Sequence, residues 1–148
     1  MLDESFEGWY QRHAKRTLRD IDKVYAARLD NTSVGLVMLK NLDSHSGYVY
    51  YIAVLPEYRG MKIGGRLLDH SLEYFSRAGM DVLFASLTQE HNESNELFKS
   101  RGFIRTNYGE ISKQYGKIGA VMMYRKMLVV SGELVVWKRL TKSKETSS

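Results

Sequence analysis

The residues best suited to chemistry lie between Val54 and Leu68. A β-like apolar run ends at Val54, Pro56 follows, and a loop holding Gly60, Gly64 and Gly65 runs straight into a helical pattern. Proline has no N–H to donate and stops a β ladder. Glycines let the backbone come close to a ligand, and the first turn of a helix offers unpaired N–H groups and the positive end of its dipole. Arg59, Lys62 and Arg66 add positive charge. Together these residues make an anion cradle at a strand-to-helix turn. Neither Gly-x-x-x-x-Gly-Lys-Ser/Thr nor Gly-x-Gly-x-x-Gly is present, so it is neither a P-loop nor a dinucleotide fingerprint. The glycines alone would also suit a plain strand–helix turn; the proline stop and the three basic residues favour a phosphate.

Other chemistries are excluded by composition. The chain has 148 residues and no Cys, which removes disulfides, thiolate zinc sites and a cysteine nucleophile. His13, His45, His70 and His91 are scattered without ligand spacing, so no metal is predicted. The formal charge of +5 favours an anionic partner, but Lys and Arg are spread along the chain without an interleaved aromatic motif, which argues against nucleic acid. The start, Met1-Leu2-Asp3-Glu4-Ser5, lacks a basic-then-apolar leader, and no apolar run approaches the roughly 20 residues of a membrane span. A cytoplasmic protein without membrane contact is expected. With 43% hydrophobic residues the chain can bury a core, and we expect one domain over 1–140 and a polar tail over 141–148.

The cradle needs elements to hold it. Phe6, Trp9, Tyr10, His13, Ala14 and Thr17 recur at helical spacing over 4–19. Residues 24–29 and 34–39 read as a hairpin around the Asp30-Asn31-Thr32-Ser33 turn, and 48–54 as a confident strand. In the strand, Tyr48, Tyr50 and Ile52 should share one face and Val49, Tyr51 and Ala53 the other. Leu67, Leu68, Ser71, Leu72, Phe75 and Ala78 mark the buried stripe of a helix that Gly79 ends. Residues 82–87 look like a buried parallel strand. A shorter helix spans 92–101, stopped by Gly102, and 103–108 is a strand. Residues 108–119, with Gly109, Gly116 and Gly119, read as a loop, either an acceptor-binding connection or an ordinary hairpin. A strand is expected over 121–130 and another over 134–140. The class is α/β, with α+β character: a mixed sheet flanked by helices.

The run Val54-x-Pro56-x-Tyr58-Arg59-Gly60-x-x-Ile63-Gly64-x-x-Leu67-Leu68 resembles the acetyl-coenzyme A signature of the GNAT superfamily of N-acetyltransferases. Arg59 and Gly64 match the first and last positions of its Gln/Arg-x-x-Gly-x-Gly/Ala pattern, and Lys62 replaces the usual middle glycine. Leu97-Phe98-Lys99-Ser100-Arg101-Gly102-Phe103 resembles the family's second element, with Phe98 where many relatives carry an acidic Tyr. The element order fits from the first helix as far as Leu128; the family's short opening strand is either lost or replaced in the sheet by 134–140.

The resemblance implies a GNAT-like acyl-CoA N-acyltransferase fold and acetyl-CoA as cosubstrate. The strands at 48–54 and 82–87 would splay. The pantetheine arm would lie in the gap on the backbone of Ile52, Ala53 and Val54. The pyrophosphate would sit on Arg59, Gly60, Met61, Lys62, Ile63, Gly64 and Gly65. Asn92, Ser94, Asn95 and Phe98 would flank the thioester, and Tyr48, His91 and Ser94 are the candidate proton-moving groups. The implied reaction is direct attack by a primary amine in a ternary complex; a catalytically silent acetyl-CoA-binding module is the alternative. The acceptor is an amine-bearing small molecule or a protein. Residues 132–137 could form an exposed edge that pairs with a second copy, giving a homodimer.

Overall fold

The computed structural model describes residues 21–88, 92–129 and 132–141. β1 (Lys23–Leu29), β2 (Thr32–Asn41) and β3 (Ser46–Val54) form an antiparallel meander. Asp30 (φ 48°) and Asn31 (φ 70°) make the first connection in the left-handed region, where short polar side chains are tolerated best. A 3₁₀ turn, Pro56–Tyr58, then leads to α1 (Ile63–Arg77), β4 (Val82–Thr88), α2 (Asn92–Ser100), β5 (Ile104–Thr106), α3 (Tyr108–Met127) and β6 (Glu133–Arg139). The six-stranded sheet runs β1-β2-β3-β4-β6-β5. Its one parallel pair is β3 with β4, and the intervening α1 is the crossover helix that such a pair needs.

Each sheet face carries its own core. On one, Ile63, Leu67, Leu68 and Phe75 of α1 and Phe98 of α2 pack on Val37, Val49, Leu83 and Ala85. On the other, Ile111, Ala120, Met123 and Met127 of α3 pack on Tyr48, Phe84 and Val135. The predicted stripe of α1 is buried as expected at Leu67, Leu68, Ser71 and Phe75, whereas Ala78 is exposed past the helix end. Gly79 (φ 79°) and Gly102 (φ 88°) stop α1 and α2 where the sequence placed them.

Two expectations are corrected. The loop expected over 108–119 and most of the strand expected over 121–130 are instead the helix α3, Tyr108–Met127. Asn107 caps it, its side chain accepting from the Glu110 N–H at 2.9 Å. Its buried residues return at helical spacing, so the Val121-Met122-Met123-Tyr124 run is split between core and solvent. Of its three glycines only Gly116 (φ 80°, ψ 165°) leaves helical geometry, as a kink. Second, 132–137 is not an exposed edge: β6 is paired with β4 along one side, and β5 covers Val135–Trp137 on the other. The helix expected at 4–19 and the tail at 142–148 lie outside the described residues.

Gly47 is required by packing rather than by backbone conformation. A Cβ there would stand 2.5 Å from two ring atoms of the fully buried Phe75. Gly47→Ala is therefore expected to lower the unfolding free energy by about 1–3 kcal/mol in urea titration, whereas alanine at Gly60 (φ 85°) meets nothing within 4 Å and costs only the strain of its left-handed backbone.

Candidate functional site

The site begins where β3 and β4 part. Their pairing runs from Ser46↔Val82 to Val49↔Ala85 and stops, although both strands continue. On the opposite edge of β3 the register with β2 shifts: Met38 faces Tyr51 but Leu39 faces Val49, so Tyr50 is an extra, bulged residue. A bulge inverts side-chain alternation, and this corrects the predicted faces. Ile52 and Val54 pack with Val49 on the α1 side, while Tyr50, Tyr51 and Ala53 lie with Tyr48 on the other.

The opening between the strands is a cleft of about 940 Å³. β3 contributes Ile52, Ala53 and Val54 to its wall. The turn contributes Arg59, Gly60, Lys62, Ile63, Gly64 and Gly65, and α2 contributes Ser94 and Phe98. These predicted residues do converge. Met61 is half exposed and does not line the cleft, and Arg66 points to solvent. Asn95 is turned to β4, its amide donating to the Thr88 carbonyl at 3.4 Å. Asn92 opens α2. His91 lies outside the described residues.

The turn is built for an anion. Lys62 occupies the N-cap of α1 and makes no side-chain capping bond, and the first turn holds no acidic residue. The first amides of α1 and the positive dipole end are thus left uncompensated beside Arg59 and Lys62. Arg59 is steadied by Nε donation to the Val54 carbonyl at 3.4 Å. Lys62 itself adopts the left-handed conformation (φ 63°, ψ 21°), which explains why a glycine would suit this position. Arg101, which sequence reading missed, lies over Gly65: a Cβ on Gly65 would stand 2.4 Å from its guanidinium, which Asp69 holds at 3.1 Å. A wide cleft ending on an uncapped, basic helix start fits an extended ligand with a phosphate at one end.

At the vertex the character changes. Tyr48 is buried, 3% exposed, and its hydroxyl donates to Ser86 Oγ at 2.8 Å. Burial pushes its phenol well above the usual tyrosine range, and the negative charge of Glu133 adds to this. Tyr48 is therefore held protonated and does not itself line the cleft, so it is no general base. Ser86, Thr88, Glu93 and Glu133 do line it, and the sequence reading passed over all four. Glu133 faces Thr88 across the β4–β6 register, a placement visible only once β6 is known to insert beside β4. Phe98 is 1% exposed and meets Phe103 edge-on at 5.0 Å, offering no hydroxyl.

A sequence profile of the acetyltransferase (GNAT) family matches residues 1–103, and the chain belongs to that family. A mycothiol acetyltransferase of Stackebrandtia nassauensis is 30% identical over 63 residues, 43% of this chain and 21% of its own length, so the match spans about a fifth of that relative. The IAA acetyltransferase of Bacillus cereus superposes with a TM-score of 0.65 at 20% identity, over 88% of this chain and 84% of that one. A GNAT acetyltransferase of Elizabethkingia anophelis, solved with acetyl-CoA bound, gives 0.66 at 16% identity over 88% and 83%. The mixed sheet is thus the GNAT fold. No helix among the described residues is long and apolar enough to cross a membrane, and no metal-binding group of His, Asp and Glu occurs among them.

Replacing Lys62 by glycine should relieve the left-handed strain and change the unfolding free energy by no more than about +1 kcal/mol. Urea titration checks this; a clear loss of stability would mean that the lysine side chain holds the turn.

Proposed function

We propose that this chain transfers the acetyl group of acetyl-CoA to a primary amine by direct attack in a ternary complex. The observation that carries the reading is the parting of β3 and β4 directly beside the uncapped basic start of α1. Arg59, Gly60, Lys62, Ile63, Gly64 and Gly65 take the pyrophosphate. The backbone of Ile52, Ala53 and Val54 pairs with the pantetheine amides as a strand edge pairs with an added strand. Ser94 and Phe98, which line the cleft, flank the thioester. Glu93 and Glu133 lend that end of the cleft a negative potential that draws an ammonium acceptor.

The bound acetyl thioester supplies the electrophile. The ammonium first gives a proton to solvent; the freed nitrogen lone pair then forms the C–N bond, the C–S bond breaks with its electrons on sulfur, the nitrogen releases a second proton to solvent, and the thiolate takes one up. Coenzyme A thiolate leaves readily, so the missing hydroxyl at Phe98 slows the step without forbidding it.

Calorimetry should detect acetyl-CoA binding, and a thiol-release assay over a panel of amines should find turnover. No binding at high micromolar acetyl-CoA would sink the proposal. Binding without turnover of any amine selects a silent acetyl-CoA-binding module, the reading that Phe98 favours. In an active enzyme, Phe98→Tyr is expected to raise kcat by up to about 100-fold, read in the same assay.

A further inference from the structure

Ser86 is the first residue of β4 beyond the last β3–β4 pair, and it lines the cleft. Its Oγ receives the Tyr48 hydroxyl at 2.8 Å. A phenol is the stronger acid of two hydroxyls, so Tyr48 gives the hydrogen and Ser86 accepts it. Ser86 Oγ has no other hydrogen bond among the described residues, which leaves its own hydrogen directed off the line to Tyr48. Tyr48 cannot swing away, being 3% exposed and packed among Phe84, Ile111 and Val135. Across the cleft from Ser86, the edge of β3 from residue 50 onward is free of β4. The vertex therefore presents backbone groups from one wall and an oriented hydroxyl from the other.

Resting on the acetyl-transfer reading above, we propose that Ser86 is a catalytic hydrogen-bond donor to the acyl carbonyl oxygen, and that Tyr48 is the positioning residue that aims it. As the amine attacks, the carbonyl π electrons move onto oxygen, and they return when the C–S bond breaks. Ser86 donates a hydrogen bond to that oxygen throughout and loses no proton. Donors fixed before the charge develops stabilise it without reorganising.

The test uses the full chain and the best acceptor from the amine panel. Ser86→Ala should lower kcat by about 10- to 100-fold while leaving acetyl-CoA affinity and acceptor KM within about twofold. Tyr48→Phe, which frees the serine hydroxyl to rotate, should cost a smaller factor, and Ser86→Thr should retain most activity. Because Ser86→Ala orphans a buried phenol, the double variant Tyr48→Phe/Ser86→Ala guards against a folding defect. A kcat for Ser86→Ala within twofold of wild type, or an equal loss in acetyl-CoA affinity, overturns the assignment. Isotope-edited infrared spectra of bound acetyl-CoA give a readout that needs no turnover. The carbonyl stretch should move to higher wavenumber in Ser86→Ala, and an unmoved band overturns the role even in a protein that binds. Failure of the wild type to bind acetyl-CoA overturns the reading itself, and this role with it.

Discussion

Beyond Val49 and Ala85 the backbone ladder between β3 and β4 stops, though each strand runs on for several residues. Backbone N–H and C=O groups on two facing edges must then find water or a ligand, since leaving them unpaired is costly. The molecule keeps the edges apart in two ways. The bulge at Tyr50 re-aims β3, and Ile63, Leu97 and Phe98 fill the α side below the gap. Without that separation the two strands would close into an ordinary parallel pair and there would be no cleft. A wall made of backbone rather than side chains sets few demands on residue identity, which is in keeping with solved GNAT folds that superpose well at 16–20% identity.

The basic turn depends on the same separation. Because β3 ends at Val54 and Pro56 cannot extend it, the chain must turn at once into α1, and its first amides come to face the open end of the cleft. The fold sets the left-handed geometry at residue 62, and a lysine accepts it at some conformational expense because its charge falls beside the dipole end. The protein's net charge of +5 thus matters less than where two of its cations stand.

Much of this was legible because it is local. A proline stop, glycines where a helix begins, and Gly79 and Gly102 where helices end are all written within a few residues of what they do. Three things were not. A bulge leaves no mark on composition, so period-two reading carried Ile52 to the wrong face. In α3, glycines at 109, 116 and 119 read as a loop, yet packing of Ile111, Ala120, Met123 and Met127 outweighed their weak propensity at all but Gly116. Ser86 and Glu133 became visible only through long-range pairing: Ser86 reaches the cleft where the β3–β4 ladder stops, and Glu133 because β6 enters between β4 and β5. Tyr48 was singled out, but its burial makes it a fixed donor rather than a base.

The insertion of β6 also bears on how the chain is made. During synthesis the meander of β1, β2 and β3 can pair as it emerges, and α1 can bring β4 alongside. The far edge of β4 and the whole of β5 then stay without a partner until Glu133–Arg139 leave the ribosome. For that interval the nascent chain carries an open β edge, the kind of surface that recruits chaperones or a neighbouring chain. Among the described residues, the strand furthest along the sequence completes the sheet's interior.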